Sequence, residues 1–190
     1  MRRPTNLINS FHEKSSQQGY ALFIVLMIMI VIALLVVTAV QSYNTEQRIS
    51  TNEADRKLAM SLAEAALREG ENKIIDFDNK VTTFTADCKQ GLCLAQNIKT
   101  PSTDSLIKLE GSATDNAWQR SCDKELCIDK NGQQTNIKQI DGVKIKPPRY
   151  IIEYISTDTS QGSMIYRVTA KAWGKNNNTV VMLQSYVANE

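Results

Sequence analysis

From Tyr20 to Val40 the chain (YALFIVLMIMIVIALLVVTAV) is almost wholly apolar and holds no charge, glycine or proline. As a helix at ~1.5 Å per residue this run is roughly 30 Å long, about the thickness of the hydrocarbon core of a bilayer. The pattern then changes without breaking. Between Gln47 and Ile74 there is no proline and, apart from Gly70, no glycine. Apolar residues recur there at Ile49, Leu58, Leu62 and Ala66, with Ala59, Ala63 and Leu67 beside them, the spacing of three and four that marks one face of a helix. The two stretches read as a single helix of about fifty residues, longer than an ordinary globular helix. Its first half belongs in an apolar medium and its second half on a domain.

A different period governs the other end. Val81 to Thr85 reads as a short strand, and Arg149–Ile155, Met164–Trp173 and Thr179–Val187 are runs of β-branched and aromatic residues. The segments between the last three, Thr157–Ser163 and Gly174–Asn178, are rich in turn formers, so an antiparallel meander is expected. In the middle strand Tyr166, Val168, Ala170 and Ala172 share one face, expected to cover the helix. Arg167, Thr169 and Lys171 share the other, expected to meet solvent. The expected fold class is α+β, with a long N-terminal helix, half transmembrane and half amphipathic, packed on a C-terminal antiparallel β-sheet.

With 190 residues there is room for one globular domain beside such a helix. The expected boundaries are a leader over 1–19, the apolar helix over 20–40, its amphipathic continuation over 41–75 and a globular domain over 76–190. Formal charge is +2, from 22 basic and 20 acidic side chains. Arg2, Arg3, Lys14 and Glu13 account for all of it, so everything after Gly19 is neutral and lacks the footprint of a nucleic-acid binder. Positive charge before the apolar run places the leader in the cytoplasm and the remainder across the membrane. The run is too long for the h-region of a cleavable secretory signal. The one histidine, His12, also lies in the leader, so a chain without its leader has no imidazole for catalysis or metal binding.

Four cysteines remain, as two C-x4-C pairs, Cys88/Cys93 and Cys122/Cys127. In an exported domain they imply disulfides, for which three connectivities exist. Local pairs are expected, although spacing alone leaves all three open. A four-cysteine zinc site would call for tighter spacing and a reducing compartment. The carboxylates Glu69, Glu71, Asp76, Asp78 and Asp87 lack the alternation of a calcium loop and read as a solvated helix end. Lys144, Lys146 and Arg149 around Pro147 and Pro148 make a basic patch too small for DNA. No catalytic constellation, metal site or cofactor is expected.

The residues around the start of the apolar run carry a family resemblance. Gln18-Gly19-Tyr20-Ala21-Leu22-Phe23-Ile24-Val25 resembles the signal of type IV prepilins, a short charged leader ending in glycine before an aromatic residue and a long apolar helix. Ser42 to Glu71 (SYNTEQRIS…DRKLAMSLAEAALREGE) resembles the segment after the membrane helix in minor pilins of the PilX family. The C-terminal PPRYIIEY…YRVTAKAWGKNNNTVVMLQSYV is similar to that family as well. No resemblance is evident between Asp76 and Lys146. The likeness implies a pilin-like fold, cleavage by a prepilin peptidase between Gly19 and Tyr20, and N-methylation of Tyr20.

Two positions depart from the usual pattern without opposing processing: Tyr20 stands where Phe is commoner, and Gln18 where Lys or Arg often precedes the glycine. A third departure is more informative. Ile24, the fifth mature residue, occupies the place of a glutamate that in most pilins is thought to pair with the N-terminal amine of a neighbouring subunit. The related K-type pseudopilins of type II secretion share this lack and sit at a filament tip. The resemblance thus implies a minor pilin for type IV pilus assembly, with Ile24 as a determinant of tip position. Its expected partners are other minor pilins, the major pilin, the prepilin peptidase, the inner-membrane assembly platform and the lipid bilayer, with no direct nucleic acid. Before assembly it would be a single-pass inner-membrane protein with a periplasmic C-terminal domain. The rival readings are a pilus-associated adhesion or DNA-uptake module and a signal-anchored envelope protein unrelated to pili.

Overall fold

The computed structural model describes residues 18–77, 80–98, 106–140, 142–157 and 163–189; the leader before Gln18, with His12, and Asp78 lie outside them. One helix, α1, runs from Gln18 to Ile75. The strands are β1 (Thr82–Thr85), β2 (Leu92–Leu94), β3 (Ile107–Glu110), β4 (Ser121–Cys122), β5 (Glu125–Leu126), β6 (Gln133–Gln134), β7 (Gln139–Ile140), β8 (Val143–Lys144), β9 (Arg149–Thr157), β10 (Met164–Trp173) and β11 (Val180–Asn189). A short helix, α2 (Cys127–Lys130), follows β5. The chain divides into two compact units, residues 1–49 and 50–190.

In the first unit the apolar stretch of α1 is exposed throughout and is long and apolar enough to cross a membrane, with a mean hydropathy of 3.3 over its most apolar window. At ~25 cal/mol per Å², so much apolar surface is unfavourable in water and favourable in lipid or against other apolar helices. Two threonine hydroxyls along this part of the helix bond back to its own carbonyls, as suits an apolar medium. Thr38 donates to the Leu35 carbonyl at 2.8 Å and Thr45 to that of Gln41 at 3.1 Å.

The second unit has the expected meander as the main part of a larger, mixed sheet. β9, β10 and β11 pair antiparallel in sequence order. On the other side of β9 come β2, then β1, then β3, all joined in parallel, while β6 adds to the start of β9. The α1 residues Leu62, Ala63, Ala66 and Ile74 are buried against the face carrying Tyr166, Val168, Ala170 and Ala172, and Ala59 is buried as well. Small side chains on both surfaces let the helix lie close to the sheet. Gly70 marks the tightest approach, since a Cβ there would stand 2.6 Å from Val168 Cγ1. Beyond it an aromatic cluster of Phe77, Phe84, Tyr154 and Tyr166, with ring centroids 5.9–6.2 Å apart, fills the space under the end of α1. Asp55 fastens the other end by accepting from the backbone N–H of Lys175 at 2.6 Å and of Asn176 at 3.3 Å in the β10–β11 turn. A hydrogen bond from the Thr179 side chain, ahead of these two, lowers the Asp55 pKa.

The opposite face of the sheet corrects an expectation. Thr169 is fully buried, Lys171 nearly so, and Arg167 keeps only 12% of its side chain exposed. The segment with the second cysteine pair covers them: Ala117, Cys127 and Ile128 pack on Ile151 with Cys88 and Cys93, flanked by Trp118. The sheet is therefore sandwiched between α1 and a disulfide-bearing layer. Alternating charges along a strand normally mark a wet face; here each cation meets a carboxylate supplied from the sheet itself or from the covering layer.

Candidate functional site

Gly19, Tyr20 and Ile24 all lie in the first two turns of α1. No acidic residue occupies its first turn, and the first carboxylate along it is that of Glu46. Tyr20 is 71% exposed and Ile24 39%. Every side chain near the expected mature N-terminus is thus uncharged, and Ile24 offers no acceptor to an amine. The helix has no structural need of a glycine at 19: among the described residues nothing lies within 4 Å of a Cβ built there, and its φ is not positive.

The cysteines pair locally, Cys88 with Cys93 and Cys122 with Cys127, at Cα–Cα separations of 4.1 and 4.8 Å. Local backbone geometry brings each pair together. Cys88, Gln90 and Gly91 all take positive φ, curling the chain back within one short turn. Asp123 and Lys124 both have positive φ between β4 and β5, as a tight two-residue hairpin requires. Mass spectrometry of the non-reduced protein is expected to show no free thiol and both local bridges. Four free thiols with stoichiometric zinc would overturn this.

Behind the disulfides sits a buried polar network that the sequence pattern did not reveal. Glu153 on β9 is fully buried and lies opposite Arg167 on β10. Arg167 donates to it twice, from Nε and Nη2, both at 2.7 Å, and also reaches Asn116 Oδ1 at 3.2 Å. The backbone N–H of Ala117 donates to Glu153 Oε1 at 3.1 Å, tying the covering layer to the sheet. The hydrogen bonds to Glu153 hold the Arg167 pKa above its ordinary value. Lys171 adds a second tie to Asp129 of α2 at 2.6 Å. Arg120 links three segments by donating to the carbonyls of Ala86, Leu94 and Asp115, and burial lowers its pKa.

The remaining candidates stay separate. Glu69, Asp76 and Asp87 are exposed, Glu71 is half-buried, and no group of three or more metal-binding side chains occurs among the described residues. Of the basic patch, Lys146 lies 3.7 Å over the Trp173 ring and Arg149 donates to the carbonyls of Lys130 and Gly132.

Two family models match the chain. The model described as PilX N-terminal covers residues 18–68, and the one described as type IV pilus assembly protein PilX C-term covers residues 89–189. No curated protein and no solved structure matches it. The second match begins at Lys89 and so takes in most of the middle region, where the sequence alone showed no resemblance. That extent fits a domain in which the disulfide layer and the meander are one packed body. The chain belongs to the PilX family of type IV pilus assembly proteins, as a minor pilin.

Proposed function

We propose that this minor pilin primes filament assembly and takes its place at the pilus tip, after cleavage between Gly19 and Tyr20 and N-methylation of Tyr20. Its role is structural rather than catalytic. Before assembly it resides in the inner membrane, N-terminus in the cytoplasm and the globular domain over 76–190 in the periplasm. There it meets the prepilin peptidase, the assembly platform, other minor pilins and the major pilin.

The observation that carries the tip reading is Ile24, set in a helix with no carboxylate before Glu46. A subunit within the shaft has to answer the charged amine of a neighbour, because an unpaired ion in a low-dielectric core costs several kcal/mol. With isoleucine at that place the neighbour's amine finds no acceptor, and the subunit fits an end where none is presented. Deleting the protein should lower pilus number sharply, and immunogold labelling should mark filament ends. Ile24→Glu should be tolerated or should let the subunit enter the shaft. Label spread evenly along native pili would refute the tip position and leave the family membership intact.

A further inference from the structure

Two glycines bring separate elements onto Tyr150 of β9. A Cβ at Gly70 of α1 would stand 3.0 Å from Tyr150 Cδ2. One at Gly91, whose φ is +75°, would stand 3.2 Å from the Tyr150 carbonyl oxygen and 3.0 Å from the backbone nitrogen of Gln133 on β6. Between α1, the turn before β2, β6 and β9 there remains a cleft of about 730 Å³, within the range of small-molecule sites. Tyr150 stands in its wall. The residue is only 3% exposed, yet among the described residues no hydrogen bond reaches its hydroxyl. A buried phenol normally finds a partner. Burial, and then the negative charge of Glu69, push this hydroxyl up to about 12, so at neutral pH it keeps its proton to donate.

Other polar groups in the cleft are also without partners. Glu69 forms no ion pair among the described residues, and the side-chain amides of Asn72, Gln90 and Gln133 make no hydrogen bond there. Lys73, the one ammonium lining the cleft among those residues, is paired with Asp76 at 3.7 Å. The unpaired groups are thus a phenol that donates, a carboxylate that accepts and three amides that do both. An anion would face the Glu69 carboxylate, and a cation would leave the phenol and amide protons unanswered. An apolar ligand would strip water from all five groups without replacing its bonds. Hydroxyl groups both donate and accept, so a ligand rich in them answers the whole set.

We propose that the cleft binds a neutral saccharide, hydrogen-bonded to the Tyr150 hydroxyl, the Glu69 carboxylate and the side-chain amides of Asn72, Gln90 and Gln133. Those groups converge from four elements onto one space, which suits a compact ring better than an extended chain. The first disulfide closes the turn that carries Gln90, and α1, β6 and β9 hold the rest on regular backbone. Such a site gives the subunit an activity besides assembly, whatever its position in the filament.

The test titrates the full-length protein, in a detergent without a sugar headgroup, with maltose, lactose and cellobiose, followed by saturation-transfer NMR. At least one should bind. Tyr150→Phe, which keeps the ring and removes the hydroxyl, should weaken binding about tenfold, as should Gln133→Ala at its exposed position. Because no described residue bonds this hydroxyl, Tyr150→Phe should leave the urea unfolding midpoint unchanged. Binding of none of the three sugars, undiminished affinity in either variant, or a lowered midpoint for Tyr150→Phe would each overturn the site. Binding of triglycine in place of the sugars, with the same dependence on Tyr150, would assign the cleft to a peptide chain and overturn the saccharide.

Discussion

Replacing Gly19 with leucine is expected to leave the entire population as full-length precursor in the membrane, with no mature chain starting at Tyr20. A protease that cuts an extended chain must thread it past its own walls, and the residue before the cut is here the one with no side chain. The structure supplies a reason to look outside the fold for the origin of this glycine. Glycine inside a helix costs up to ~1 kcal/mol relative to alanine, yet at 19 neither a close neighbour among the described residues nor a positive φ calls for it. Leucine should therefore leave the helix intact, and a processing block would not be a folding defect in disguise. N-terminal sequencing from wild-type and peptidase-deficient cells checks the starting point. A mature wild-type chain beginning at Met1, or anywhere after Val40, would defeat the cleavage assignment.

The second large effect is on stability. Glu153→Ala should destabilise the protein by about 3–5 kcal/mol, because it removes one partner of a buried ion pair and leaves the other charged. Arg167 would lose both of its 2.7 Å hydrogen bonds, and the Ala117 N–H its acceptor, with the covering layer held more weakly on β9. Replacing both members, Glu153→Leu with Arg167→Met, should recover most of that loss, since no uncompensated charge then stays buried. Urea unfolding of the full-length protein in detergent, followed by tryptophan fluorescence, reports both variants, Trp118 and Trp173 lying in the affected part of the domain. A midpoint for Glu153→Ala equal to that of the wild type would show that the pair does not fasten the layers.

The long helix and the meander were readable in the sequence because their periods extend over many residues. A 3.6-residue period running from Leu58 to Leu67, and β-branched runs separated by turn formers, each leave a local signature. Of the strands that enlarge the sheet, β1 was legible as the run from Val81 to Thr85, while β2 and β3 leave no such signature. β1, β2 and β3 are three or four residues long and join in parallel, so no tight hairpin announces their pairing. The rear face failed for a related reason. Arg167 and Lys171 look wet in any alternating pattern, and only the distant Asp129, together with Glu153 across the strand pair, makes their burial affordable. At the N-terminus Gly19, Tyr20 and Ile24 were legible because contiguous residues carry the motif, while the place of β11 at the end of the sheet became visible only once the order of the strands was known.

That strand order also governs the timing of folding. β2 lies beside β9 in parallel, Leu92 opposite Ile152, and the whole disulfide layer rests on residues of β9 and β10. A chain made from its N-terminus therefore completes its long helix and both cysteine pairs before the central strand that organises them exists. Pairings so distant in sequence close slowly, because loop-closure entropy is lost before any contact rewards it. The cysteines, each five positions from its partner, can bridge during that wait without any help from the sheet. Oxidation can then precede the collapse of the domain, and the bridged loops arrive at β9 already shaped for it.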